Sequence, residues 1–233
     1  MASDNILGPE VVHRYAFAAR LLHWAVALGY VLLFLSGLAF FHPYFYWLTD
    51  LLGGGSMARI LHPFIGAVMA LLFFVYSVGI WRDNLLLPSD KEWLRQAPKI
   101  MNKTIEFPVE GKYNAGQKVL FWIMLVLVAT LLLTGVPIWR PYFAHLFGAP
   151  FRRVSVLLHA ALAFVMFVSI GVHIYAAYWT RGSIRGMIRG YVSRAWAMFH
   201  YPGWYRAHVA KSGGADDDRD RDRDGGGDKS RRA

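Results

Sequence analysis

Four stretches of this sequence, approximately Leu21–Phe41, Ile60–Trp81, Val119–Trp139 and Ser155–Trp179, each run for more than 20 residues without one Lys, Arg, Asp or Glu. Crossing about 30 Å of hydrocarbon takes roughly 20 apolar residues in a helix, so each run is long enough to span a membrane. Four charge-free helices of this length do not fit a soluble domain. Trp24, Trp81, Trp122, Trp139 and Trp179 stand near the run ends, where an interfacial aromatic belt belongs. The reading is an all-α, integral membrane four-helix bundle. Composition agrees, with 56% hydrophobic residues, 17% charged residues and a mean hydropathy of +0.32. The net charge of +10 suggests nucleic acid at first sight, but the Lys and Arg lie between and after the apolar runs. That placement serves topology and anionic lipid instead.

The same cations set the expected orientation. The N-terminal segment carries two (Arg14, Arg20), the second loop seven and the segment after the fourth run twelve, which puts 21 on one side. The other side holds four: Arg59, Arg140, Arg152 and Arg153. Under the positive-inside rule both termini face the cytoplasm. The first run is too long for the apolar core of a signal peptide and is read as retained. The expected organisation is therefore a cytoplasmic N-terminal segment at 1–20, a four-helix membrane domain at 21–179, a cytoplasmic interfacial segment at 180–210 and a charged tail at 211–233. In the third of these, Ile184, Met187, Ile188, Tyr191, Val192, Ala195 and Trp196 recur at helical spacing with Arg185 and Arg189 between them. This pattern predicts an interfacial helix. The tail, rich in Gly, Asp and Arg, has no apolar surface to bury and is expected to be disordered.

Cysteine is absent, which excludes thiolate-bound clusters and the thioether attachment of c-type haem. Histidine is the remaining metal ligand of note. His13, His42, His145, His200 and His208 fall in tails or loops, where a solvated or interfacial side chain is the ordinary outcome. His23, His62, His159 and His173 lie inside the apolar runs, where an ionisable group is costly and points to function. Because the runs alternate direction, His62 and His159 share the outer level and His23 and His173 the inner one. Fourteen positions from His159 to His173 turn through about 1400°, roughly 40° short of four full turns, and rise about 21 Å. Both imidazoles therefore project from one helix face at two depths. The residue four positions after each histidine is small (Ala27, Gly66, Ala163, Ala177), which leaves room for a flat ligand but also suits helix packing. Zinc sites gather Cys, Asp or Glu ligands close together, and neither pair has them. Two haems, each clamped by two imidazoles from different helices, suit the pattern.

Several longer motifs carry a resemblance. They are His23-Trp24, the run from Ala58 to Phe64 (ARILHPF), Gly111 to Lys118 (GKYNAGQK), Gly135 to Phe143 (GVPIWRPYF), His159-Ala160-Ala161, His173-Ile174-Tyr175 and Pro202 to Arg206 (PGWYR). In this order and spacing the sequence resembles the gamma, or cytochrome b, subunit of respiratory membrane-bound formate dehydrogenases over roughly residues 12 to 207. The resemblance implies two b haems held by His23, His62, His159 and His173, in a multi-pass protein of the bacterial inner membrane. It implies a partner iron–sulfur (beta) subunit on the outer face, and through it a molybdenum or tungsten formate-oxidising (alpha) subunit. Electrons would pass to quinone, either menaquinone or ubiquinone, near the cytoplasmic face. The family's quinone site carries over to Asn114 and Gly116 beside His173, and Gln117 joins them by proximity. Read as residues alone, Asn114 also suits a helix cap and Gly116 an easy entry into the third helix. Two departures stand out: the tail is an Asp/Arg/Gly repeat, and Pro137 replaces an aliphatic residue and is expected to kink the third span near its outer end.

Two other readings share parts of this pattern. A cytochrome b of a membrane-bound hydrogenase, or a related di-haem carrier, would keep the helices and histidines but take electrons from another donor. A haem-free membrane anchor would use the histidines as a proton relay. With no cysteine, the chain is not expected to oxidise formate itself. Its role is electron transfer and, at most, the quinone-reducing end of a complex.

Overall fold

The computed structural model describes residues 11–101, 109–180 and 182–207. Residues 1–10 of the N-terminal segment and the charged tail at 211–233 lie outside the described residues. Four long helices account for the apolar runs: α1 (Phe17–Phe41), α2 (Gly55–Ile80), α4 (Ala115–Gly135) and α5 (Ala149–Trp179). Each is long and apolar enough to cross a membrane. Every one of them starts four to six residues before the apolar run that announces it. Arg20, Arg59, Lys118, Arg152 and Arg153 bound the runs in sequence, yet all five lie inside helices. Backbone hydrogen bonding continues through a charged turn where hydropathy stops.

The described residues fall into two units. The larger, His13–Leu85 with Gly116–Tyr191, contains the membrane helices. Its core joins Ala70 and Phe73 of α2, Leu127 and Val128 of α4 and Met166 of α5, with Val26 and Tyr30 of α1 packed against them. These side chains fill the middle of the bundle between the two histidine levels. Phe34 of α1 stacks on Phe167 of α5, with ring centroids 4.9 Å apart and planes 5° from parallel. Toward the ends where α2 leaves and α4 enters, the Trp122 indole donates to the Asn84 carbonyl at 3.0 Å. Asn84 itself is buried, and its side-chain amide donates to the Ile80 carbonyl at 2.9 Å. Between α1 and α2, a 3₁₀ segment at Pro43–Leu52 ends on Gly53 with φ of 83°.

Pro137 does not kink the third span. The α-helix stops at Gly135 and Pro137 sits buried in a following 3₁₀ turn, Val136–Ile138. Proline lacks an N–H and fixes φ near the helical value, so it is accommodated where one helical segment ends and another begins.

The expected interfacial helix is also divided. Helix α6 (Ser183–Arg189) ends on Gly190, with φ of 88°, and the chain continues as strand β2 (Tyr191–Ser193) before α7 (Arg194–His200). Strand β2 pairs with β1 (Val11–His13) in a two-stranded sheet. The Gly190 carbonyl accepts from the backbone of Arg14 and Tyr15, at 2.9 and 3.1 Å. A pairing partner distant in sequence overrides the local helical period here. Ser193 then caps α7, its hydroxyl accepting from the Trp196 N–H at 3.2 Å.

The smaller unit includes α3 (Pro88–Met101), α7 and a short helix at 202–207. Its core gathers Val192, Trp196, Ala197, Tyr201 and Tyr205, with Val12, Val109 and Trp204 against them. Gly203 donates its N–H to the Val109 carbonyl at 3.2 Å, and a side chain at 203 would collide with the Glu110 backbone. This close approach requires the glycine of the PGWYR motif.

Candidate functional site

The four intramembrane histidines meet in two pairs. His62 of α2 and His159 of α5 have ring centroids 6.5 Å apart, and His23 of α1 and His173 of α5 have centroids 6.1 Å apart. A metal–imidazole nitrogen bond is about 2 Å, and a ring centroid lies about 1 Å behind its nitrogen. Two imidazoles that shared one metal would have centroids about 6 Å apart. Both pairs have that spacing. Neither pair includes a carboxylate or thiolate, and two neutral nitrogens with no anionic ligand suit iron in a macrocycle better than zinc.

A glycine lies against each imidazole of the His62/His159 pair. A Cβ at Gly135 would lie 3.5 Å from His159 Cε1, and one at Gly37 would lie 3.8 Å from His62 Cε1. Aromatic edges line the rest. Phe40 meets His62 edge-on at 5.6 Å, and Trp24 and Tyr76 meet His23 at 5.3 and 6.2 Å.

In the His62/His159 pair, Nδ1 of each ring lies within hydrogen-bonding distance of a hydroxyl. Ser36 Oγ of α1 lies 2.7 Å from His62 Nδ1, and Thr134 Oγ1 of α4 lies 3.0 Å from His159 Nδ1. The tautomers follow from proton accounting. Each hydroxyl has one proton, and each already donates it within its own helix: Ser36 to the Leu32 carbonyl at 2.7 Å and Thr134 to the Thr130 carbonyl at 2.7 Å. With those protons given to the carbonyls, each oxygen accepts from the imidazole, and the Nδ1–H tautomer that this arrangement favours leaves Nε2 of His62 and of His159 as the nitrogen available to a metal.

Ser36 and Thr134 are functional candidates that sequence reasoning did not single out. Each is followed by the glycine that makes room for the same imidazole, in Leu35-Ser36-Gly37 and Leu-Thr134-Gly135 (Leu133). That repeated tripeptide was the available signal, and it acquires meaning only once the helices are paired.

The residues implied for quinone sit where α4 begins. Asn114 immediately precedes the helix, while Gly116 and Gln117 lie in its first turn. All three are partly buried. Of the five loop or tail histidines, His42 accepts from the Tyr44 N–H at 3.2 Å and so caps the 3₁₀ segment that follows α1. His200 packs against Trp196 in the smaller unit, with centroids 4.9 Å apart. His208 lies outside the described residues.

Comparison with known proteins gives a consistent family. The model of the prokaryotic cytochrome b561 family matches residues 14–190. The formate dehydrogenase cytochrome b556 subunit of Haemophilus influenzae is 42% identical over 211 residues, covering 90% of this chain and 88% of the relative. Two Escherichia coli K12 proteins align over 84% of this chain. The cytochrome b556(fdo) subunit of formate dehydrogenase is 42% identical, with 93% of its length covered. The nitrate-inducible formate dehydrogenase cytochrome b556(Fdn) subunit is 44% identical, with 91% covered. With four membrane-spanning helices, paired histidines and this extent of identity, the chain belongs to the prokaryotic cytochrome b561 family and, within it, to the formate dehydrogenase cytochrome b subunits.

Proposed function

We propose that the chain is the di-haem cytochrome b of a formate dehydrogenase complex, carrying electrons from an outer-face iron–sulfur subunit to quinone near the cytoplasmic face. The observation that carries this reading is the pair of centroid separations, 6.5 and 6.1 Å, each matched to two imidazoles on one iron. Membership of a cytochrome b family implies haem b. When bound, haem b supplies a reversible one-electron carrier. In this reading His62 and His159 hold the outer group and His23 and His173 the inner one. The formate dehydrogenase names of the relatives support the choice of donor over a hydrogenase.

The cation distribution supports cytoplasmic termini, which places the His23/His173 pair on the cytoplasmic side. Asn114, Gly116 and Gln117 at the entry to α4, with His173, are then the candidates for orienting quinone there. Protons consumed in forming quinol come from the cytoplasm in this arrangement. Inward electron transfer against the field costs about 2.3 kcal/mol per charge per 100 mV, work that formate oxidation must supply.

The test is haem stoichiometry in the purified complex. The unaltered chain should hold two b haems. His62→Ala or His159→Ala should remove one, and His23→Ala or His173→Ala should remove the other. Loss of the same haem from His62→Ala and His173→Ala would overturn the pairing, and absence of b-type bands would overturn the cytochrome. Asn114→Leu should slow quinone reduction severalfold while both haems remain reducible by formate.

A further inference from the structure

The two histidine pairs differ in their surroundings. In the His62/His159 pair each Nδ1 lies against a hydroxyl, at 2.7 and 3.0 Å, whose own proton has a helix carbonyl to go to, Leu32 for Ser36 and Thr130 for Thr134. Ser36, the acceptor for His62, is 1% exposed, so water does not compete for it. The inner pair lacks this support at His23. Its Nδ1 is buried without a hydrogen-bond partner, and the ring meets only the aromatic rings of Trp24, Tyr76 and His173. An imidazole whose N–H is engaged by an acceptor shifts electron density toward its other nitrogen and becomes a stronger donor to a metal. Stronger donation favours the more highly charged ferric state and so lowers the reduction potential, a lever independent of ligand identity because all four ligands are histidines.

We propose that Ser36 and Thr134 are positioning residues that fix His62 and His159 as Nδ1–H tautomers and set the outer haem below the inner one in reduction potential. This rests on the di-haem reading above. The two acceptors come from α1 and α4, the spans that contribute no ligand to the outer pair. They also orient the rings, since a ring held at Nδ1 loses its rotation about the Cβ–Cγ bond. The hydroxyl protons remain on Ser36 and Thr134, donated to the Leu32 and Thr130 carbonyls, so neither residue needs to exchange a proton for a bound haem to take up an electron. In this chain the gradient from a lower outer to a higher inner potential favours electron movement in the inward direction.

The experiment is a redox titration of the b haems in the purified complex, read optically and by electron paramagnetic resonance, in unaltered, Ser36→Ala and Thr134→Val forms. The unaltered complex should give two midpoints. In each variant the lower midpoint should move upward and the higher one stay in place. A tenfold loss of preference for the ferric state reads as about 59 mV for one electron. Ser36→Thr and Thr134→Ser keep an acceptor oxygen and should restore the lower midpoint, a rescue that packing alone does not produce. If the alanine or valine form loses the outer haem, Ser36→Cys keeps the volume with a weaker acceptor and should show the upward shift. Movement of the higher midpoint, of both, or of neither would overturn the proposal. Fewer than two b haems in the unaltered complex would instead overturn the di-haem reading.

Discussion

At the scale of single residues, the His62/His159 site combines a hydroxyl and a glycine on each of the two helices that flank it, Ser36 and Gly37 of α1 and Thr134 and Gly135 of α4. Gly135 illustrates how little room remains. Alanine there would place its Cβ at ordinary contact distance, 3.5 Å from His159 Cε1. Valine adds two branches at the same point, and overpacking of this kind typically costs about 1–3 kcal/mol. On the di-haem reading, Gly135→Ala should therefore retain both haems, whereas Gly135→Val should lower occupancy of the haem held by His62 and His159 and spare the other, measured as haem per chain. The four paired histidines stood out in the sequence because an imidazole inside a charge-free apolar run is expensive and needs a reason. Ser36 and Thr134 did not, since hydroxyl residues are common in membrane helices. They touch histidines 26 and 25 positions away, on other helices. No local period records such a contact.

Among the elements, the long helices were legible from hydropathy, but their starting points were not, because Arg20, Arg59 and Lys118 mark the limit of apolarity rather than of helix. The segment from Ser183 to His200 was the least legible. Its helical period is real in sequence, yet Gly190 turns the chain and β2 pairs with β1 about 180 residues earlier. A Cβ at Gly190 would lie 3.0 Å from the Tyr15 carbonyl oxygen, a backbone atom that cannot swing aside, and its φ of 88° disfavours any L side chain. The Arg20 guanidinium, which donates to the Ile188 carbonyl, crosses the same corner. Gly190→Ala should cost on the order of 1–3 kcal/mol, seen as a lower thermal midpoint in detergent, with the haem spectrum unchanged below the transition.

For the whole molecule, the arrangement of ligands across helices has a consequence for biogenesis. Helix α5 supplies one histidine to each pair, His159 and His173, while its partners come from α2 and α1. The outer site draws on all four spans once Ser36 and Thr134 are included. On the di-haem reading, no ligand pair exists in a nascent chain until its final span has emerged. The first three spans must therefore enter the membrane and wait as an apoprotein, their histidines satisfied by lipid-excluded contacts alone. A chain stopped before Ala149 should insert but bind no haem, whereas the same fragment supplied with α5 as a separate peptide should regain both, measured by pyridine haemochrome after co-expression. Loading would then be a late, post-insertional checkpoint, and the supply of haem would govern how many inserted chains mature rather than how many are made.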